Sequence, residues 1–188
     1  MHFPETDLWD RFRQGERAAY AEIYFTHYEA LLNYGRRFTL DLALIEDAIQ
    51  DLFVELWQYH ATLSATTSIR FYLLRALRNQ LSQRLVPPSA STGAEPFEVE
   101  YSFEQRWIEL QEEEEKWRVL QGAINQLTPR QREVLYLRFF NDLDYPEVAA
   151  VMGLSYQATR NQVYLALKAL REHLPAHWRP LMLLVLGI

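Results

Sequence analysis

The chain has 188 residues, a net charge of −6 and no cysteine, so disulfides and thiolate metal centres are excluded. With 49% of its residues hydrophobic it can bury a real core in one or two domains. No basic start followed by an apolar run marks a signal peptide, and the one continuous apolar run, Leu181 to Leu186, is too short to cross a bilayer. A cytoplasmic protein without stable membrane insertion is expected. The acidity is uneven: residues 86–118 hold 9 acidic and 3 basic residues, whereas Arg70, Arg75, Arg78 and Arg84 lie in a stretch without a carboxylate. Local patches rather than net charge therefore decide whether nucleic acid can bind.

In chain order, Asp7 to Phe12 reads as a short helix capped by Thr6 or Asp7. Glu16 to Phe38 reads as a long amphipathic helix, with Tyr20, Ile23, Tyr24, His27, Leu31 and Leu32 near the helical period. His27 is read as a packed or surface histidine, because no second ligand stands at metal-site spacing. Gly35-Arg36-Arg37 could touch a phosphate, but a solvated helix end is the preferred reading. Leu44 to Tyr59 is the cleanest amphipathic helix of this half. Ile49, Leu52, Phe53, Leu56 and Trp57 form its apolar stripe, and Asp47, Gln50, Asp51 and Glu55 form an acid-and-amide face opposite. That face suits solvent or a basic protein partner, and no histidine, lysine or nucleophile accompanies it for acid–base chemistry.

His60 to Ser68 reads as a polar connection. Ile69 to Leu85 resumes as a helix with Leu73, Leu77 and Leu81 in line. Arg70, Arg75 and Arg78 lie around it, and Phe71 and Tyr72 stand at its entrance. Cations beside aromatics suit single-stranded DNA, and equally suit an ordinary amphipathic helix. Val86 to Phe97 is a linker rich in proline, serine and glycine. The acidic tract from Glu98 to Glu115 follows and can run as helix into Trp117-Arg118-Val119-Leu120. The tail, Pro175 to Ile188, is broken by proline and ends in apolar residues.

Residues 127–174 carry the clearest signal. Thr128-Pro129-Arg130-Gln131 and Asp144-Tyr145-Pro146-Glu147 each offer a cap, a proline and a capping-box partner. Val134, Leu137 and Phe140 recur at helical spacing. Gly153 allows a left-handed turn, and Ser155 caps a third helix. That helix has an apolar stripe, Thr159, Val163, Ala166, Leu167 and Leu170, and a separate polar face, Gln157, Arg160, Asn161 and Tyr164. A helix, a glycine turn and a helix with amide, guanidinium and phenol groups outward is what a helix-turn-helix needs to read the major groove. A three-helix bundle with a solvated face is the plainer alternative. The fold class expected is all-α: two small helical domains joined by a flexible acidic linker, the C-terminal one a helix-turn-helix.

These motifs, in this order and separation, resemble a bacterial RNA polymerase sigma factor of the extracytoplasmic-function group. Glu46-Asp47-x-x-Gln50-Asp51-x-Phe53-x-x-Leu56-Trp57 resembles its core-binding helix, Leu127 to Val134 the opening of its C-terminal domain, and Glu147 to Arg171 its helix-turn-helix. The resemblance implies a region 2-like domain over 1–85, an acidic linker over 86–118 that can turn partly helical, a region 4-like domain over 119–174 and an apolar tail over 175–188. It implies docking on the polymerase clamp by Asp47, Gln50, Asp51, Phe53, Glu55 and Trp57, and on the flap by the Leu135, Phe139 and Phe140 region. It further implies that His60, Thr62, Arg70, Phe71, Tyr72, Arg75, Arg78 and Asn79 hold a melted −10 element. Ser155, Tyr156, Gln157, Thr159, Arg160, Asn161 and Tyr164 would read the −35 element as duplex.

This chain departs from the family pattern in having Tyr72-Leu73 where Trp-Leu is frequent, a short 60–68 loop and Ala158 where Thr or Ser is common. The expected partners are core RNA polymerase and promoter DNA, and the docking faces and tail leave room for an anti-sigma protein. No cofactor, metal or catalytic activity is expected. Two rival readings are a stand-alone helix-turn-helix regulator and a helical interaction protein with no DNA role.

Overall fold

The computed structural model describes residues 5–85 and 114–175. The chain is all-α and divides into two compact units, Met1–Pro96 and Phe97–Ile188. The 86–97 linker, the acidic tract up to Glu113 and the tail after Pro175 lie outside the described residues.

In the first unit, α1 (Glu5–Arg13), α2 (Arg17–Gly35), α3 (Leu42–Tyr59) and α4 (Ile69–Leu85) pack side by side, α2 meeting each of the others. The first helix starts earlier than expected: Thr6 is inside it, and the Glu5 carboxylate accepts the Ile69 N–H at 3.1 Å. Asp41 caps α3 by accepting from Leu44 N at 3.1 Å, which places the helix start two residues before the Leu44 expected from periodicity. Trp9, Phe12, Ile23, Leu31, Tyr34, Ile45, Ile49, Leu73 and Leu77 are almost completely buried. Tyr20 ties three helices together: its hydroxyl donates to the Phe53 carbonyl at 3.0 Å, and its ring lies 6.1 Å from Phe12 and 5.1 Å from Trp57. Such aromatic pairs contribute roughly 0.5–1.5 kcal/mol beyond area burial.

Two readings of the α2 region are corrected. The helix ends at Gly35, not at Phe38, and Arg37 is buried at 7% exposure instead of solvated. Gly35 is there because Ile45 of α3 packs directly onto its backbone, in the space a Cβ would need.

In the second unit, α5 (Glu114–Asn125), α6 (Pro129–Leu135), α7 (Tyr145–Met152) and α8 (Tyr156–His173) pack with α8 against the other three. Both capping boxes form, Thr128 with Gln131 and Asp144 with Glu147. Gly153 closes α7 at φ +65°, and Ser155 accepts from Ala158 N at 3.1 Å to open α8. One regular helix was expected through Phe140. Instead α6 widens into a π turn over Tyr136–Phe140, with Asn141 N donating to Tyr136 O at 3.2 Å, five residues back. Leu135 is buried at 5% exposure, while Phe139 and Phe140 are half-buried. Among the described residues no helix is long and apolar enough to cross a membrane, and no cluster of His, Asp and Glu could hold a metal ion.

His27 is buried at 4% exposure, and its Nδ1 has no hydrogen-bond partner among the described residues. Burial pushes its pKa below the ordinary 6.5, with Glu5 opposing and Arg70 reinforcing that shift. The unfolded chain therefore takes up a proton near pH 6.5 that the folded chain refuses, so stability is full above that pH and falls as pH drops below it. His27→Leu is expected to flatten the decline of the urea midpoint between pH 7.5 and 5.5. Gly35→Ala offers a second measurement. Helix propensity favours alanine by roughly 0.5–1 kcal/mol, but overpacking against a buried, branched neighbour costs about 1–3 kcal/mol. A net loss of stability is expected, and the Gly35→Ala/Ile45→Ala double variant should lose less than the sum of the two singles.

Candidate functional site

The apolar stripe of α3 is buried through Ile45, Ile49, Leu52, Phe53 and Leu56, which turns Asp47, Gln50, Asp51 and Glu55 outward. Phe53, expected on the docking face, is buried at 2% exposure against Tyr20 and Tyr24, so it shapes the helix from behind. Trp57 is half-buried, packed on Tyr20 and stacked on His60 with centroids 5.1 Å apart. The acidic face is not isolated. Arg84 of α4 forms an ion pair with Asp51, and Gln80 Nε2 donates to Glu55 at 3.4 Å. Exposed pairs of this kind contribute about 0–1 kcal/mol, too little to hold Asp51 against a partner offering more cations. Sequence reading noted Arg84 as one of a cationic group and missed its pairing across 33 residues.

After α3 comes a short 3₁₀ turn, His60–Thr62, and then an extended loop into α4. His60 Nδ1 lies 2.7 Å from the Trp57 carbonyl, and Thr62 Oγ1 donates to Tyr59 O at 2.9 Å. Ser68 caps α4 by accepting from Phe71 N at 3.2 Å, and Thr66 Oγ1 donates to Ser68 O at 3.0 Å. Ala61, Thr62, Ser64, Ala65 and Thr67 are exposed. On α4, Arg75 and Asn79 are exposed, while Arg70, Phe71, Tyr72 and Arg78 are half-buried. The Tyr72 ring sits 5.1 Å from Trp9, and burial pushes its hydroxyl pKa up, keeping it neutral and able to donate a hydrogen bond. Of the residues expected at the −10 element, Thr62, Arg75 and Asn79 are thus exposed, and His60, Arg70, Phe71, Tyr72 and Arg78 are half-buried.

In the second unit, Thr159, Val163, Ala166 and Leu170 are buried, and Gln157, Arg160, Asn161 and Tyr164 are exposed. Thr159 is fully buried and its hydroxyl donates to the Ser155 carbonyl at 3.1 Å, so it packs the helix and cannot reach DNA as expected. Ser155 and Tyr156 are exposed at the turn, though the Ser155 hydroxyl already serves as the cap. A row of cations and rings, not foreseen from the sequence, backs this turn. Arg138 lies 5.5 Å from the Tyr145 ring, Tyr145 6.2 Å from Tyr156, and Arg160 5.9 Å from Tyr156. The row restrains Arg160 before any ligand arrives.

Known proteins share features of this sequence and this fold. The family model for sigma-70 region 2 matches residues 23–86, and that for sigma-70 region 4 matches residues 117–170. The RNA polymerase sigma-E factor of Streptomyces coelicolor is 25% identical over 162 residues, covering 86% of this chain and 89% of that protein. Among solved structures, CnrH in complex with the cytosolic domain of CnrY superposes with a TM-score of 0.61 at 21% identity, covering 90% of this chain and 96% of that one. RpoE in complex with the anti-sigma factor NepR from Bartonella quintana superposes with a TM-score of 0.55 at 17% identity, covering 81% and 94%. At these identities the structural likeness establishes the fold.

Proposed function

The chain belongs to the sigma-70 family as a bacterial sigma factor of the extracytoplasmic-function group, a non-catalytic protein that binds RNA polymerase for transcription initiation, and on that premise we propose how its surfaces divide the work. The exposed face of α8 reads the −35 element as duplex. Gln157, Arg160 and Asn161 meet base edges and phosphates, Tyr164 lies one turn further on, and Ser155 and Tyr156 sit at the entrance. What carries this reading is the separation of faces on α8: four polar groups outward, opposite a buried stripe, after a glycine-closed turn. The 60–68 loop and α4 hold the −10 element as melted strand. Arg75 and Asn79 are available to phosphates, His60 and Thr62 to a base edge, and Phe71 and Tyr72 to an unstacked ring.

Asp47, Gln50, Asp51 and Glu55, bordered by Trp57, dock on the polymerase clamp. Phe139 and Phe140 remain for the flap, the neighbouring Leu135 being buried. Residues 1–85 and 119–174 act as the two working domains, and the 86–118 linker lets both engage one polymerase, which raises the effective concentration of each at its site. An anti-sigma protein is a further partner. The reading takes support from the fold shared with RpoE, whose solved complex is with an anti-sigma factor, and from the exposed acidic face of α3.

Co-elution with sigma-free core polymerase tests the docking face. Wild-type protein is expected to co-elute, and Asp47→Arg/Asp51→Arg to lose the complex while keeping its melting temperature. Tight duplex binding without any polymerase association would instead favour a stand-alone regulator. For the duplex reader, Arg160→Ala and Asn161→Ala are each expected to weaken binding of the holoenzyme to a −35 fragment by about 1–3 kcal/mol. Asn161→Ala should relax base preference at one position. If Arg160 contacts phosphate alone, its loss lowers the salt dependence by about one ion and affects all sequences alike.

A further inference from the structure

Helix α1 takes no part in the contacts assigned above, yet one of its faces is committed to the segment between α3 and α4. Glu5, Trp9 and Arg13 are four residues apart and so share one stripe of the helix. Trp9 and Arg13 meet the main chain of that segment, and Glu5 meets the first residue of α4. Arg13 Nε donates to the Leu63 carbonyl at 2.7 Å, Trp9 Nε1 donates to the Ser64 carbonyl at 2.9 Å, and the Ile69 N–H donates to Glu5 Oε2 at 3.1 Å. The order is reversed, so the helix runs against the loop as a splint. All three partners are backbone atoms, which fixes the path of the main chain, and Ala61, Thr62, Ser64, Ala65 and Thr67 stay exposed. Trp9 is fully buried between Phe12 and Tyr72, so its N–H is held in place, and Phe12 lies 6.2 Å from the His60 ring. One indole therefore grips the loop and touches the entrance of α4.

We propose that α1 pre-organises the 60–68 loop and the start of α4 for an unpaired base, with Trp9 and Arg13 as positioning residues that set selectivity for the −10 strand. The inference rests on the reading that this loop and α4 hold the melted element. A loop already held in one path does not pay its ordering cost when a base arrives, and a mismatched base cannot recruit an alternative path.

The test uses the factor bound to core polymerase, with single-stranded oligonucleotides carrying a −10 sequence selected by the wild-type holoenzyme from a randomised promoter. Arg13→Met and Trp9→Phe remove the donors while keeping much of the packing. Each is expected to lower the affinity ratio between the selected strand and its single-base variants about three- to tenfold. Association with core polymerase and binding to duplex −35 DNA should be unchanged, Arg13→Lys should restore part of the ratio, and hydrogen exchange within 60–68 should quicken. Unaltered ratios in both variants, beside a discriminating wild type, would overturn the splint. So would an equal loss of affinity for every strand together with loss of polymerase binding, which marks general destabilisation. A wild type that does not discriminate at all refutes the strand-binding reading itself, and the splint with it.

Discussion

An amphipathic helix has one face to bury, and in this protein that constraint decides where every candidate contact points. Burying a Leu, Ile or Phe side chain stabilises by about 1.5–3 kcal/mol, whereas an exposed ion pair contributes about 0–1 kcal/mol. The stripe Ile45, Ile49, Leu52, Phe53 and Leu56 therefore sets the rotation of α3, and Asp47, Gln50, Asp51 and Glu55 point outward as a consequence. The same holds for α8, where Val163, Ala166 and Leu170 fix the azimuth of Arg160 and Asn161. A partner meets a charged surface whose position was settled by the core behind it. Changing the outward residues can alter affinity without altering the fold.

The connection between α3 and α4 obeys a different rule. It has only one large apolar residue, Leu63, and that residue is half-buried, so the loop cannot order itself by hydrophobic burial. Its order is borrowed from groups around it: the Trp9 and Arg13 side chains donate to the Ser64 and Leu63 carbonyls, and the Phe12 and Trp57 rings lie against His60. Because these rings also link the helices to one another, loop geometry and domain packing share the same groups. A change in the aromatic cluster acts on both.

Legibility in the sequence followed the range of the interaction. The two capping boxes, the Gly153 turn and the Ser155 cap are formed by residues three or four apart, and a short window contains everything that determines them. The two-sided pattern of α3 and α8 is equally local. What a window cannot contain is a partner 30 or more residues away, as with Arg84 on Asp51 and Trp9 on Ser64, or the close approach of two different helices, as with Ile45 over Gly35. Phe53 and Thr159 show a subtler limit. Both were given functional roles from the resemblance, and both also lay on the apolar stripe; burial takes the side chain whenever the two roles compete. The π turn at Tyr136–Phe140 had no visible signal, since one extra residue per turn leaves the composition unchanged.

A net charge of −6 is compatible with binding nucleic acid because recognition depends on where cations are held and how firmly. An arginine on a mobile side chain loses rotamer freedom on binding, and that loss is subtracted from its attraction to phosphate. The row Arg138, Tyr145, Tyr156 and Arg160 reduces the subtraction, since each cation rests within 6 Å of a ring before a ligand arrives. Tyr156 is also still half-exposed, so a phosphate can approach Arg160 without dismantling the stack. The second unit thus holds two restrained cations, Arg138 and Arg160, beside the turn that opens α8.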